Sequence, residues 1–158
     1  MRRKPLIWVC VIVLVIASGA GALYAWLVPG LSSARAEPPA AEITVATWLL
    51  HQSVPNDAKL AANPLGKDPA DITAGRDLFR QKCEPCHAYD GSGKSSLGGG
   101  QYPHPPALRS PAVASMSDGE IFYHIRNGIR NTAMPAWGLP DRDIWRLVSY
   151  IRCRRLRR

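Results

Sequence analysis

Two patterns of apolar residues frame the sequence. The first is an uncharged run over residues 5–28, which at about 1.5 Å per residue is long enough for a helix to cross a hydrocarbon core of about 30 Å. The second is a set of four apolar residues at i, i+3, i+4 and i+7 near the other end: Ile144, Leu147, Val148 and Ile151. These patterns predict a membrane-spanning helix at one end and a helix packed on a core at the other.

The first apolar run has two interpretations. As a transmembrane anchor, residues 1–28 would place Tyr24 and Trp26 in an interfacial belt, and the basic residues 2–4 would stay in the cytoplasm, so that the rest of the chain lies on the periplasmic side. As a signal peptide, the run would be cleaved at the small-x-small sequence of residues 34–36. Signal peptides have apolar cores of about 7 to 15 residues, so the greater length here favours the anchor.

The segment after this run is rich in proline and alanine. Residues 29–67 therefore predict an extended linker and arm between the anchor and the following domain. Within it, residues 43–50 are apolar enough to form a short helix or strand. Trp48 is expected either to contact the following domain or to lie near the lipid headgroups. His51 is interpreted as a solvated linker residue.

Helix-start signals divide the remainder of the chain. Residues 68–82 begin with an aspartate cap followed by proline, residues 117–128 begin with a Ser-x-x-Glu capping box and end in glycine, and a third helix opens at Asp141. Residues 88–111 hold many Gly, Pro and Ser and predict a long loop. We expect a small all-α domain over residues 68–153, with too little apolar mass for a core unless a cofactor supplies some.

Charge is distributed unevenly along the chain. There are 20 Lys and Arg against 12 Asp and Glu, a net charge of +8. Residues 36–151 nevertheless hold 11 basic and 12 acidic residues, because the excess lies at residues 2–4, at Arg35 and in residues 152–158. Of these, residues 154–158 form a predicted Arg-rich tail. A uniformly basic surface is absent from this sequence, so nucleic acid is not an expected partner.

One pair of cysteines carries the candidate chemistry. Cys83 and Cys86 are separated by two residues, and His87 follows directly, which is the c-type haem attachment signature. Two thiols at this spacing can reach both vinyl groups of one porphyrin, and the histidine can bind the iron. A zinc site would need a second close pair of ligands, and a thioredoxin-like pair would follow a strand in a βαβ pattern. Neither pattern accompanies these cysteines, so one covalently bound haem c is predicted.

Residues 68–155 resemble a class I c-type cytochrome, a small all-α fold with three main helices around one covalently bound haem. The features that carry the resemblance are CEPCH at residues 83–87 and NGIRNTAMPAWG at residues 127–138. The resemblance implies that Met134 is the sixth iron ligand, that the Pro106 carbonyl accepts the ring N–H of His87, and that Leu108 touches the haem. It also implies a close crossing of the first and last helices, and the residues at this contact would be Gly75, Phe79, Leu147 and Tyr150. Ala88 departs from the glycine that many members carry after the haem histidine.

Other side chains could take the sixth position. Met116 precedes a helix cap and is interpreted as a packing residue, whereas His104 and His124 would each make a two-histidine iron. His/Met ligation would fill both axial positions and leave no room for a small-molecule substrate on the iron. The expected function is one-electron transfer without enzyme activity.

Two function classes fit this expectation, and a third opposes it. The leading hypothesis is a membrane-anchored carrier between redox proteins: a quinol-oxidising complex on one side and a terminal oxidase or dehydrogenase on the other. The alternative is a fixed cytochrome c subunit of a larger membrane oxidoreductase or oxidase complex. A haem sensor or haem enzyme would instead need an open iron position.

Overall fold

The computed structural model describes residues 3–28 and 33–156, in which every regular element is a helix and no strand occurs. The chain divides into two compact units, one up to Ala36 and one from Glu37. The predicted all-α fold is confirmed.

The first unit is built around α1, Arg3–Leu27. Its segment Pro5–Trp26 is long and apolar enough to cross a membrane, judged by length and composition alone. The structure does not describe residue 2, whose charge is expected to be cytoplasmic, or residues 29–30, which follow the apolar run. The side chains of residues 3–4 are also outside the described part of the chain.

The second unit contains the other helices. They are α2 (Ala40–Ser53), α3 (Asn56–Leu60), α4 (Pro69–Lys82), α5 (Glu84–His87), α6 (Pro111–Ser115), α7 (Asp118–Asn127) and α8 (Asp141–Leu156). A single turn of 3-10 helix over Gly98–Gly100 interrupts the long loop after α5. The tail predicted at residues 154–158 continues as α8 to Leu156, and the last two residues lie outside the described ones.

The start signals in the sequence predict the three main helices correctly. The Asp68 side chain accepts a hydrogen bond from the Ala70 backbone N–H at 2.8 Å and caps α4. Ser117 and Glu120 form the reciprocal capping box of α7. Along α8, the four apolar residues at helical spacing are buried, three of them completely: Ile144, Leu147, Val148 and Ile151.

Helices α4 and α8 cross closely, as the resemblance implied. A Cβ on Gly75 would lie 2.1 Å from the Arg146 carbonyl oxygen, so only glycine fits at this contact. The Phe79 and Tyr150 rings pack beside it with centroids 5.3 Å apart. A hydrogen bond of 2.7 Å from Arg146 to Asp71 closes the other side of the crossing. The two helices therefore form a fixed frame for the segments between them.

The expectation of an extended spacer is wrong for most of residues 37–67, which we call the arm. The arm forms α2 and α3, because its prolines Pro39 and Pro55 directly precede the two helices instead of interrupting them. The residues predicted as a short helix or strand are helical.

The contacts of the arm also differ from the expectation. Trp48 is 60% exposed and does not pack on the domain, whereas Val54 at the end of α2 is buried to 2% exposure. His51 is not a solvated linker residue, since its Nδ1 lies 2.9 Å from Glu120 Oε1 on α7. At about 100° per residue, Trp48 is turned about 120° on the helical wheel from the buried Val54, and His51 lies between the two. The arm is therefore a packed part of the second unit.

Two further hydrogen bonds hold the arm. The Asn63 side-chain amide donates to Ser149 Oγ at 2.8 Å on α8, and the Tyr102 hydroxyl donates to Glu42 Oε1 at 2.7 Å. At α3, a Cβ on Gly119 would lie only 1.8 Å from the Ala58 carbonyl oxygen, so α3 and the first turn of α7 are in direct backbone contact. The arm thus reaches α7, α8 and the long loop.

Candidate haem-attachment site

The CEPCH sequence forms a single helical turn at the end of α4. The His87 backbone N–H donates to the Cys83 carbonyl at 2.8 Å, and the Cys86 N–H donates to the same carbonyl at 3.2 Å. These hydrogen bonds hold the backbones of Cys83, Cys86 and His87 close together in one turn. Cys83 is buried at 9% exposure and belongs to the apolar core cluster, while Cys86 and His87 are half-buried.

The electrostatics of the thiols argue against a redox-active dithiol. Burial, together with the neighbouring Cys86, raises the pKa of the Cys83 thiol to about 12. Redox-active Cys-x-x-Cys pairs instead have a nucleophilic cysteine whose pKa is lowered. The environment of Cys83 suits a sulfur atom that is uncharged, as in a thioether.

His87 is held as a neutral imidazole. Burial lowers its pKa below the usual 6.5, and the nearby Pro106 backbone carbonyl opposes this shift. Its Nδ1 is buried and makes no hydrogen bond of standard geometry within residues 3–28 and 33–156. If the Pro106 carbonyl accepts from the buried Nδ1, the tautomer with its proton there is favoured, which leaves the Nε2 lone pair free to bind a metal. This arrangement fits a proximal iron ligand.

The long loop returns to the CEPCH turn through backbone contacts. The Gly93 N–H donates to the His87 carbonyl at 2.9 Å, and the Leu108 N–H donates to the Gly91 carbonyl at 2.8 Å. Leu108 is partly buried against the core cluster that contains Cys83. Pro106 and Leu108 therefore lie on the loop that folds over His87.

Ala88 adopts a backbone conformation that favours glycine. Its φ of 62° lies in the left-handed region, where an L side chain costs roughly 1–2 kcal/mol. The glycine that many class I cytochromes carry at this position would avoid the cost. The departure noted in the sequence thus corresponds to local strain beside His87.

Met134 lies on a second loop, which is fixed to the end of α7. The Met134 carbonyl accepts from the Ile129 N–H at 3.1 Å, and its own N–H donates to Thr132 Oγ1 at 3.1 Å. Gly128 has a φ of 70°, and a Cβ there would lie 2.8 Å from the Met134 carbonyl oxygen. Sequence analysis identified this glycine only as a helix end, although its absent side chain makes room for the methionine loop.

The two loops approach the same region of the molecule. Met134 is partly buried against the core cluster that contains Cys83. Lys82 Nζ, adjacent to Cys83, lies 5.7 Å from the ring centroid of Trp137, three residues beyond Met134. The CEPCH turn and the Met134 loop therefore meet at the end of α4. No sequence signal predicts this cation–π contact, because its two residues are far apart along the chain.

The alternative ligands have different surroundings. Met116 packs against the core cluster, in keeping with its interpretation as a packing residue. His104 Nδ1 lies 3.3 Å from the Gly98 carbonyl oxygen, and its Nε2 lies 4.0 Å from Glu37. His104 thus has both ring nitrogens near other oxygen atoms.

His124 is the second histidine with a buried ring nitrogen that lacks a partner in the described part of the chain, at Nε2. It lies on α7 one turn after Glu120. Burial lowers its pKa, Glu120 raises it and His51 lowers it, so the ring is within electrostatic reach of the arm contact. We therefore interpret His124 as a neighbour of the contact between His51 and Glu120.

Comparison with known proteins identifies the domain. The family described as cytochrome c oxidase, cbb3-type, subunit III matches residues 70–151, from α4 to the buried end of α8. The chain belongs to this family. As a member of this cytochrome c family it is a c-type cytochrome, for which haem c is the implied cofactor and electron transfer is the role. The arm precedes the matched residues.

Two individual proteins resemble this member of the cytochrome c family. It is 35% identical over 66 residues to the cytochrome bc1 complex cytochrome c subunit of Corynebacterium diphtheriae, a match that covers 42% of this chain and 21% of that protein. Its fold is similar to a chain of the reducing HAO-like protein complex of Kuenenia stuttgartiensis, with a TM-score of 0.52 and 21% identity over 58% of this chain and 46% of that chain. At that identity the second similarity concerns the fold.

Proposed function

We propose that the chain binds one haem c through thioether bonds at Cys83 and Cys86, with His87 and Met134 as axial ligands. The observation that carries this proposal is the meeting of the CEPCH turn and the Met134 loop at one apolar cluster. Bound in this way, the haem would supply one reversible electron through its ferric and ferrous states.

The chain's own residues would maintain that ligand set. The Pro106 carbonyl would accept the Nδ1 proton of His87 and fix the orientation of its ring. Hydrogen bonds at Ile129 and Thr132 would hold the backbone of Met134 in place. Leu108 and the core cluster would exclude water from the haem. With both axial positions occupied, the iron would have no site for a small-molecule substrate.

We further propose that α1 anchors the cytochrome domain on the periplasmic side of a membrane. The apolar length of Pro5–Trp26 supports a membrane span, and the basic residues 2–4 support the cytoplasmic location of the chain start. Tethering to the bilayer would raise the effective concentration of the domain near membrane-bound redox partners. These partners would be a quinol-oxidising complex and a terminal oxidase or dehydrogenase.

A second candidate is a fixed subunit of a membrane oxidoreductase or oxidase complex. It is favoured by the relative from Corynebacterium diphtheriae, which is described as a subunit of a complex. Extraction of the tagged full-length chain in mild detergent separates the two candidates. Recovery as a monomer supports the carrier, whereas stoichiometric recovery with other haem or copper polypeptides supports the subunit.

Replacement of Met134 tests the proposed ligand set. In the full-length haem-loaded protein, Met134→Ala is expected to abolish the far-red sulfur-to-iron absorption band of the oxidised state and to let the reduced state bind carbon monoxide. The matched control is Met116→Ala, which removes another half-buried thioether against the same cluster and should leave the band intact. Loss of the band in the control alone, or its absence from the unmodified protein, would contradict the assignment.

A further inference from the structure

One side of helix α2 meets the domain, and apolar residues are exposed on the other side. The inner side faces the domain through His51 and the buried Val54. Val45, Trp48 and Leu49 follow at i, i+3 and i+4 on the other side, which we call the outer face of α2. They are 57%, 60% and 53% exposed. The exposed Gln52 lies among them, but three neighbouring large apolar side chains are more than a helix side in water normally carries, so this outer face is typical of a surface that a second apolar phase covers.

The orientation of the outer face is fixed. Glu42 at the first turn of α2 accepts from the Tyr102 hydroxyl at 2.7 Å, and His51 in the last turn contacts Glu120 at 2.9 Å. Contacts near both ends restrain rotation of the helix about its axis. The outer face is therefore presented by the domain as a defined surface.

We propose that the outer face of α2 docks into the headgroup region of the lipid bilayer. Only residues 28–39 separate the end of α1 from the start of α2, and at about 3.5 Å per residue they span at most about 40 Å. The inference rests on the membrane anchoring of the proposed function, which keeps α2 within this distance of the membrane. Tryptophan and leucine are side chains that favour the interface between headgroups and acyl chains.

The size of the outer face also favours lipid over a protein partner. A stable protein interface buries about 800 Å² on each partner, and three side chains fall well short of that area. A lipid surface needs no complementary shape, and three inserted apolar side chains suffice when a tether holds them nearby. The outer face also carries no basic residue, so docking is expected to depend little on anionic lipid.

The test uses the full-length haem-loaded protein in nanodiscs that hold one copy each. Cys10→Ser and Cys153→Ser first remove the two cysteines outside the CEPCH turn. A nitroxide is then attached at Leu49→Cys, or at Arg76→Cys on the exposed side of α4 as the matched control. Collision with oxygen, which partitions into lipid, is compared with collision with a water-soluble nickel complex. The ratio of oxygen to nickel collisions at residue 49 is expected to exceed that at residue 76 several-fold, and Val45→Gln with Trp48→Gln should abolish the excess.

Each other result overturns the docking. Equal ratios at the two labels, in protein that stays on the discs and keeps its haem spectrum, would show that the outer face lies in water although the anchor holds. Shelter of residue 49 only in discs with two copies, or only in a complex with other subunits, would assign the face to a protein partner. Failure of the protein to stay on the discs would refute the anchor of the proposed function and remove the docking with it.

Discussion

The arm and the cytochrome domain belong to one compact unit, but different interactions hold them. In the domain, Ile144, Leu147 and Val148 are completely buried between helices. In the arm, Val54 is the one buried residue, and the remaining attachment is mainly polar. Hydrogen bonds contribute about 0.5–1.5 kcal/mol each, whereas a fully buried leucine contributes about 1.5–3 kcal/mol. The arm is therefore expected to open locally while the domain remains folded.

The largest expected effect comes from the domain. Leu147→Ala removes a completely buried side chain at the α4–α8 crossing and should lower the free energy of unfolding by about 3 kcal/mol. Denaturant unfolding of the haem-loaded protein, followed by absorption, measures this change. A loss below about 1 kcal/mol would mean that bound haem, and not the helix crossing, dominates the stability of the domain.

A smaller and local effect is expected in the arm. Val54→Ala removes two methyl groups from its buried residue and should lower the free energy of arm opening by about 1.5 kcal/mol. Hydrogen exchange over residues 40–60 should accelerate about tenfold, and exchange in α4 and α8 should stay unchanged. Acceleration in all three segments would show that the arm and the domain unfold together, which would contradict local opening of the arm.

The smallest expected effect concerns the polar contact. His51→Gln keeps an uncharged donor to the Glu120 carboxylate but removes the imidazole, and should weaken arm closure by at most about 1 kcal/mol near neutral pH. The measurement is again hydrogen exchange over residues 40–60. Gln52→Ala, one residue further along and exposed, is the matched control and should have no effect. Equal effects of the two replacements would contradict a specific role for the imidazole.

Low pH should also weaken the closure of the arm on the domain. Burial raises the pKa of Glu120, but hydrogen bonds from His51 and from the Ser117 backbone, with the charges of His51 and Lys59, lower it by more, so that it lies below 4.5. Its contribution to stability is present above pH 4.5 and is lost as the pH falls through the lower native pKa. Arm exchange, corrected for intrinsic rates, should accelerate as the pH falls below 4.5. Constant protection through that range would contradict this.

The sequence predicted what depends on neighbouring residues. Capping signals and helical periodicity located α4, α7 and α8, and the spacing of Cys83, Cys86 and His87 indicated the class of protein before any contact was known. These features are local because a helix cap or an attachment motif is complete within a few residues.

The arm was harder to predict because its partners are distant in sequence. His51 binds a residue 69 positions away, and Asn63 binds one 86 positions away. No periodicity in residues 37–67 encodes such pairs, so proline content suggested an extended spacer. For Trp48 the sequence left two alternatives open, contact with the following domain or a position near the lipid headgroups, and its 60% exposure in α2 excludes the first. The left-handed backbone of Ala88 could be suspected only from the glycine of the resembling family, since alanine itself does not indicate such a conformation.

The carboxylate of Glu120 serves two purposes with two oxygen atoms. Oε2 accepts from the Ser117 backbone N–H at 2.7 Å and completes the cap of α7, while Oε1 contacts His51 of the arm. Changes at Ser117 and at His51 therefore act on one side chain and should be non-additive in a double-mutant cycle. The Glu120 carboxylate therefore links the arm thermodynamically to the first turn of α7. The same helix leads at its other end directly into Gly128 and the Met134 loop.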